Sequence, residues 1–430
     1  MEKIILRSKL KNKIMNKKEF IYLLLIFVLF TVFSLNRHSK AQIFTYHSEI
    51  WADKAGYNVY LPALFIYDFN ATNFPDSIDY KTGNGFVIDK TSNKVITKYP
   101  YGVALLQSPF WLISHLIDKE KKGYSKTYNK AIDISAIFYF VIGLFFLYKL
   151  FDNNQEKKTI ILTLLFSILG TNLLYYAVWE TGMSHIYSFA FFSILLFLLS
   201  KKTFNYQLIL VCLMILIIRP INIVFLIPIV LLFGVQNKAD FFVRINALTT
   251  KSNIFKTILF SILVFLPQFV YNNYAFEGAG INSYQNESFI FLSNPKILEV
   301  LFAPNNGLFL YAPILLVIFS MAILKFKRLK NLSYLPILLL LIYVIVYASW
   351  WSYMLGCGLG HRGFVDILPV YIYMLFYLIK TMNNNKIFYV LLLILSLYTT
   401  KITFSYDGCF YGKWDWDWKA YQQLVVGKAK

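Results

Sequence analysis

The chain has 430 residues, of which 58% are hydrophobic and 15% charged, and its mean hydropathy is +0.55. Soluble domains carry about 25% charged residues, so this depletion excludes an ordinary soluble protein and points to a bilayer. The net charge of +20 would suggest nucleic acid in a soluble chain, but here the basic residues gather in short segments between apolar runs, where orientation signals sit, and no nucleic-acid partner is expected.

The N-terminal stretch MEKIILRSKLKNKIMNKKEF places seven Lys or Arg before Phe20, which predicts a cytoplasmic N-terminus. The apolar run that follows is succeeded by SLNRHSK rather than by a small-residue cleavage site, so residues 20–35 read as an uncleaved first span. Residues 36–130 form a first outer loop whose segment 47–109 is the longest polar interruption in the chain. Further crossings are expected at 132–150, 160–178, 186–199, 254–271, 308–324, 334–348, 364–379 and 387–398. The run 208–235 is broken by Arg219-Pro220 and reads as two short helices meeting at an outer turn, giving about eleven crossings in all.

Loop charge supports this order if 103–117 is a helix lying on the outer surface. Segments 153–158, 201–202, 238–251, 325–330 and 380–386 then fall inside, and 179–185, 274–306 and 350–362 outside. Lys119, Lys121, Lys122 and Lys126 run against the rule, but a crossing at 103–117 would turn the more basic FKRLK segment outward. The tail 401–430 is then outside, with Trp414, Trp416 and Trp418 suited to the headgroup region. The expected fold is one all-α polytopic membrane domain, 1–430, with juxtamembrane helices in its first loop. Cys212 reads as packing, and a Cys357–Cys409 disulfide stays open.

The outer segments concentrate the unusual residues. The first loop offers Glu49, Asp53, Tyr57, Asp68, Lys98 and the run Tyr99-Pro100-Tyr101-Gly102; the second offers Trp179, Glu180 and His185. The segment before residue 364 offers Trp350, Trp351, Tyr353, His361 and Arg362, with Asp366 at the next helix start. Ionisable groups near membrane depth are costly and so are functional candidates. A carboxylate can take the proton of an acceptor hydroxyl, the planar fork of arginine suits phosphate oxygens, and aromatic faces suit sugar rings or an isoprenoid chain. Each residue also has a plain alternative: Asp53 as the cap of a helix over 56–67, Glu49 as a solvated carboxylate, Arg362 as a snorkelling cation, His185 as a hydrogen-bonded interfacial group.

Five segments carry a resemblance: ADKAGYNVYLPALFIYDF from Ala52, KYPYGVALLQSPF from Lys98, GTNLLYYAVWETGMSHIYSFAFF from Gly170, LFAPNNGLFLYAPILL from Leu301 and GLGHRGFVDILP from Gly358. In order, they resemble the polytopic GT-C glycosyltransferases, with protein O-mannosyltransferases and bacterial lipid A aminoarabinose transferases as the nearest relatives. The resemblance implies an undecaprenyl- or dolichyl-phosphate sugar donor, inverting transfer at the outer face, and Asp53 as the catalytic carboxylate. Members of that family often carry two adjacent acidic residues, whereas this chain has Asp53-Lys54, and Glu49 is the expected substitute. The donor phosphate is assigned to Arg362, Lys98, His361 and Arg219, and substrate contacts to Tyr57, Asp68, Tyr99, Tyr101, Glu180, His185 and Trp351. The expected partners are a polyprenyl-phosphate sugar, a lipid, glycan or protein acceptor, and a bacterial inner membrane. No cofactor is assigned, and a divalent metal stays open. GxGxxG-type nucleotide motifs are absent. O-antigen polymerases and ligases, the competing enzymes, place their large outer loop late; a lipid or solute transporter would show broken helices in matching halves.

Overall fold

In hydrocarbon every backbone N–H and C=O must be satisfied within its own segment, which is why apolar runs of this length become helices. The computed structural model describes residues 17–152, 156–202, 204–276 and 287–427, and of 326–331 the backbone only. Most of the basic N-terminal stretch lies outside the described residues, as do parts of the expected segments 153–158 and 274–306 and the end of the tail. The described residues are predominantly helical, with a single two-stranded antiparallel ribbon that pairs Val87–Asp89 with Lys94–Ile96.

The longer helices are α1 (Lys17–His38), α2 (Gly102–Ile117), α3 (Lys126–Phe151), α4 (Lys157–Gly170), α5 (Ser184–Ser200), α6 (Tyr206–Ile218) and α7 (Ile223–Leu232). They are followed by α8 (Lys238–Leu248), α9 (Lys251–Ala275), α10 (Pro313–Leu324), α11 (Phe326–Ser349), α12 (Phe364–Thr381), α13 (Lys386–Ser405) and α14 (Trp418–Val426). Six of them, α1, α3, α9, α11 (over Leu332–Ser349), α12 and α13, are long and apolar enough to cross a membrane; five more apolar helices are shorter. The chain is thus a multi-pass helical membrane protein.

Burial orders the bundle. The apolar window of α12 is 78% buried and that of α3 61%, whereas those of α1 and α9 are each 6% buried. A helix that is apolar all round and buried is core; one that is apolar and exposed presents its side chains to lipid. The central layer is therefore α3, α5 and α12, with α1 and α9 at the periphery.

Several expected boundaries move. The run 160–178 is not one helix: α4 stops at Gly170, Thr171 is extended, and Leu173–Val178 forms a separate short helix. The run 308–324 divides at Ala312, because Pro313 opens α10 and cannot extend the turn Leu308–Tyr311. The loop expected at 238–251 holds α8, capped by the Asn237 side chain on the Asp240 amide. The last expected span, 387–398, extends to Ser405. At Arg219-Pro220 the break appears as expected, a 3-10 turn (Pro220–Asn222) between α6 and α7. The expected helix at 103–117 is α2, starting at Gly102.

The first loop has its own small core, in which Tyr60, Trp111, Tyr124, Tyr128 and Tyr271 pack together. The Tyr271 and Tyr274 side chains of α9 tie into the β-ribbon, where their hydroxyls donate to backbone carbonyls and accept from the Thr97 and Val95 amides. The loop is thereby docked on the helix ends.

Candidate active site

Asp53 opens a short helix, Asp53–Asn58, that follows Ala52. It does not cap: Ala52 holds the cap position, with no side-chain cap bond, so the Asp53 carboxylate is available for other work. One oxygen accepts from Arg362 Nη2 at 2.8 Å, and the other accepts from the Tyr99 hydroxyl at 2.6 Å. The Tyr99 ring lies 4.4 Å from that of Tyr57, whose hydroxyl accepts from Ser184 at 3.0 Å. Gly56 lets the Tyr99 ring come this close, since a Cβ there would meet the ring's Cδ2 at 2.4 Å.

Arg362 is presented by a rigid segment. Leu355, Gly356, Gly358 and Gly360 have positive φ, which lets residues 355–360 fold back on themselves. Asn306 donates to the Gly356 carbonyl, Asn172 and Tyr176 donate to that of Leu359, and a Cys357–Cys409 disulfide joins the segment to the C-terminal tail. The tail is held in turn by Asp415, which accepts from Tyr353 and Asn305.

The pair opens on a cavity of about 750 Å³. Its polar wall includes Asp53, Lys98, His185, Arg219, Glu287 and Arg362, and its apolar wall Ile218, Ile221, Phe289, Val346 and Trp350. The break between α6 and α7 delivers Arg219 to this wall, where Nη1 donates to Asp366 at 3.0 Å and lies 2.6 Å from His185 Nδ1. His185 Nδ1 is also 2.9 Å from Asp366, so Asp366, behind the wall, holds both. Lys98 pairs with Glu287 and lies 5.5 Å from the Tyr99 ring centre.

The electrostatics favour a charged pair. Burial pushes the Asp53 carboxyl up, but the Arg362 guanidinium, the Tyr99 hydrogen bond and Lys98 outweigh it and hold the pKa below the usual carboxylate range. Arg362 is the mirror case: burial pulls it down, and Asp53 with the surrounding tyrosines holds it above its ordinary value.

Of the residues expected to hold phosphate, the structure brings Arg362, Lys98 and Arg219 to the cavity and turns His361 away. His361 is fully buried; its Nε2–H donates to the Tyr353 carbonyl at 2.8 Å, so Nδ1 accepts from the Tyr343 hydroxyl. Burial and Arg362 push its pKa down to about 3, and a neutral ring with both nitrogens engaged positions the loop rather than binding an anion. Of the expected substrate residues, Tyr57, Tyr99, His185 and Trp351 line the cavity. Tyr101, Glu180 and Asp68 do not: the Tyr101 hydroxyl donates to Val264, Glu180 pairs with the buried Lys54 at 3.0 Å, and Asp68 is exposed in a left-handed turn. Glu49 is not the neighbour of Asp53; it lies on His38 and Asp133. Glu287 and Tyr347 are wall residues that the sequence reading missed, Tyr347 because it looks like one more aromatic of an apolar span.

The arrangement supplies two carboxylates, Asp53 and Glu287, three cations and an apolar surface in one cavity at the ends of α5, α6 and α11. Among models of known families none matches the chain, and among curated proteins none does either.

Proposed function

We propose that the chain is an integral-membrane glycosyltransferase of the GT-C kind, with about eleven crossings, counting the shorter apolar helices as spans. It takes a sugar from a polyprenyl phosphate and transfers it to a lipid, glycan or protein hydroxyl at the outer face of a bacterial inner membrane. The observation that carries this reading is the single cavity in which the Asp53–Arg362 pair stands beside Arg219 and Lys98 and opposite an apolar wall. An anionic head and an isoprenoid tail need those two surfaces side by side.

On this reading Arg362, Arg219 and Lys98 receive the donor phosphate, and Asp53 faces the acceptor hydroxyl. The acceptor oxygen attacks the anomeric carbon as the bond from that carbon to the phosphate oxygen breaks. The phosphate leaves with the bonding pair, and the hydroxyl proton passes to Asp53. A carboxylate of low pKa is a weak base, which suits a reaction in which the hydroxyl becomes acidic only as its bond to carbon forms.

The test is Asp53→Asn in folded protein supplied with a polyprenyl-phosphate sugar and acceptor. Transfer should fall by about 10²–10⁴-fold, the range for a lost general base. Undiminished transfer would remove Asp53 from the chemistry. Movement of labelled lipid across vesicles by wild-type protein, without any transfer, would replace the enzyme by a transporter.

A further inference from the structure

A second cluster of ionisable groups lies apart from the cavity wall. His38 ends α1, Glu49 lies in the first loop four positions before Asp53, and Asp133 lies in the second turn of α3. All three are buried or nearly so, and one ligand atom from each lies within 4.8 Å of the others. His38 Nδ1 is 2.9 and 3.1 Å from the two Asp133 oxygens and 3.1 Å from Glu49 Oε1.

The other ring nitrogen decides what this means. Nε2 lies 3.3 Å from the Trp179 carbonyl, which only accepts, so Nε2 carries a proton. Nδ1 is then the atom that faces three carboxylate oxygens. With its lone pair bare it would be repelled by all three, so a proton or a cation stands between them. A proton there gives a singly charged imidazolium against two buried carboxylates, and one negative charge is left uncompensated in a low-dielectric site. Nearby basic side chains are otherwise engaged: Lys54 pairs with Glu180, and Arg37 lies over the Trp179 ring.

We infer that His38, Glu49 and Asp133 bind a divalent first-row cation such as Zn²⁺ or Mn²⁺, through His38 Nδ1 and the two carboxylates. A dication neutralises both carboxylates with the imidazole neutral. One imidazole with two carboxylates is a donor set such ions take, whereas Mg²⁺ and Ca²⁺ prefer oxygen alone. The ligands are also oriented from behind, as metal ligands usually are. His38 donates its second N–H to a backbone carbonyl, and Asp133 accepts from Ser34 at 3.1 Å and from Thr181 at 2.8 Å. The bound ion joins the end of α1, the first loop, α3 and the turn at Thr181, and so fixes the chain just ahead of Asp53. This holds whether or not the cavity transfers sugar.

The test uses the full chain, purified in detergent, stripped with a chelator and titrated with Zn²⁺ and with Mn²⁺. Wild type should retain about one equivalent of one of them after desalting and unfold at a higher temperature when loaded. His38→Gln, and independently Glu49→Gln should the first not fold, should weaken retention at least about tenfold. Asp53→Asn should retain the ion fully. Wild type that retains neither ion and shows no thermal shift leaves a shared proton as the occupant and overturns the inference; so does equal retention by wild type and both ligand variants.

Discussion

Arg362 reaches Asp53 from a segment held by hydrogen bonds on three sides, so its replacement tests the pair rather than the fold. Arg362→Gln removes the charge that holds the Asp53 pKa down while burial, which raises it, persists. The acid limb of the pH–rate profile should therefore move to higher pH than in wild type, and an unmoved limb would show that Asp53 does not set it. The same pair makes a stability statement. A carboxylate whose folded pKa is depressed contributes stability above its unfolded pKa, about 3.9, and loses it as pH falls through the lower folded value. The difference in melting temperature between wild type and Asp53→Asn should therefore hold at neutral pH and shrink on acidification below about pH 4. Asp53, Arg362, Lys98 and Arg219 were legible in the sequence because each is an ionisable group where the apolar pattern is interrupted. Glu49 was misread because what it touches depends on His38 and Asp133, two residues on helices α1 and α3 whose approach no local pattern reports. His361 looked like a ligand and is a strut, since only packing reveals that both its nitrogens are used.

At the scale of elements, α2 depends on one close approach. A Cβ on Gly102 would meet the Ile217 carbonyl oxygen at 2.4 Å and its carbon at 2.6 Å, both backbone atoms at the end of α6. Gly102→Ala should force α2 away from the break that carries Arg219 and cost about 1–3 kcal/mol, read as a lower melting temperature. An unchanged melting temperature would show that the two elements part freely. Most helix positions followed from apolar runs, but the breaks at Thr171 and Ala312 were passed over, because Gly170-Thr171-Asn172 and Pro313 are short, uncharged interruptions that a hydropathy pattern runs across. The break at Arg219 was legible because a charge stands beside its proline, which the break at Ala312-Pro313 lacks.

The whole molecule wraps one buried layer, α3, α5 and α12, in helices that face outward, and it gathers its polar wall at the helix ends near Asp53, Arg219 and Arg362. The proposed orientation puts residue 93, in the β-ribbon turn, outside and α8 inside. A single cysteine introduced at Asn93 should react with an impermeant thiol reagent on intact cells, and one at Lys238 only after lysis; the opposite pattern would invert every segment. The covalent link at Cys357 adds a requirement of another kind. Thiols stay reduced in a bacterial cytoplasm, and disulfides persist where oxidants reach them. The segment that presents Arg362 is closed by such a bond, so on the proposed orientation the chain would be finished by the redox chemistry of the periplasm. Synthesis in a strain lacking periplasmic thiol oxidation should give a protein of the same length and helix content with a loosened Arg362 segment, making oxidation a maturation step for the site itself.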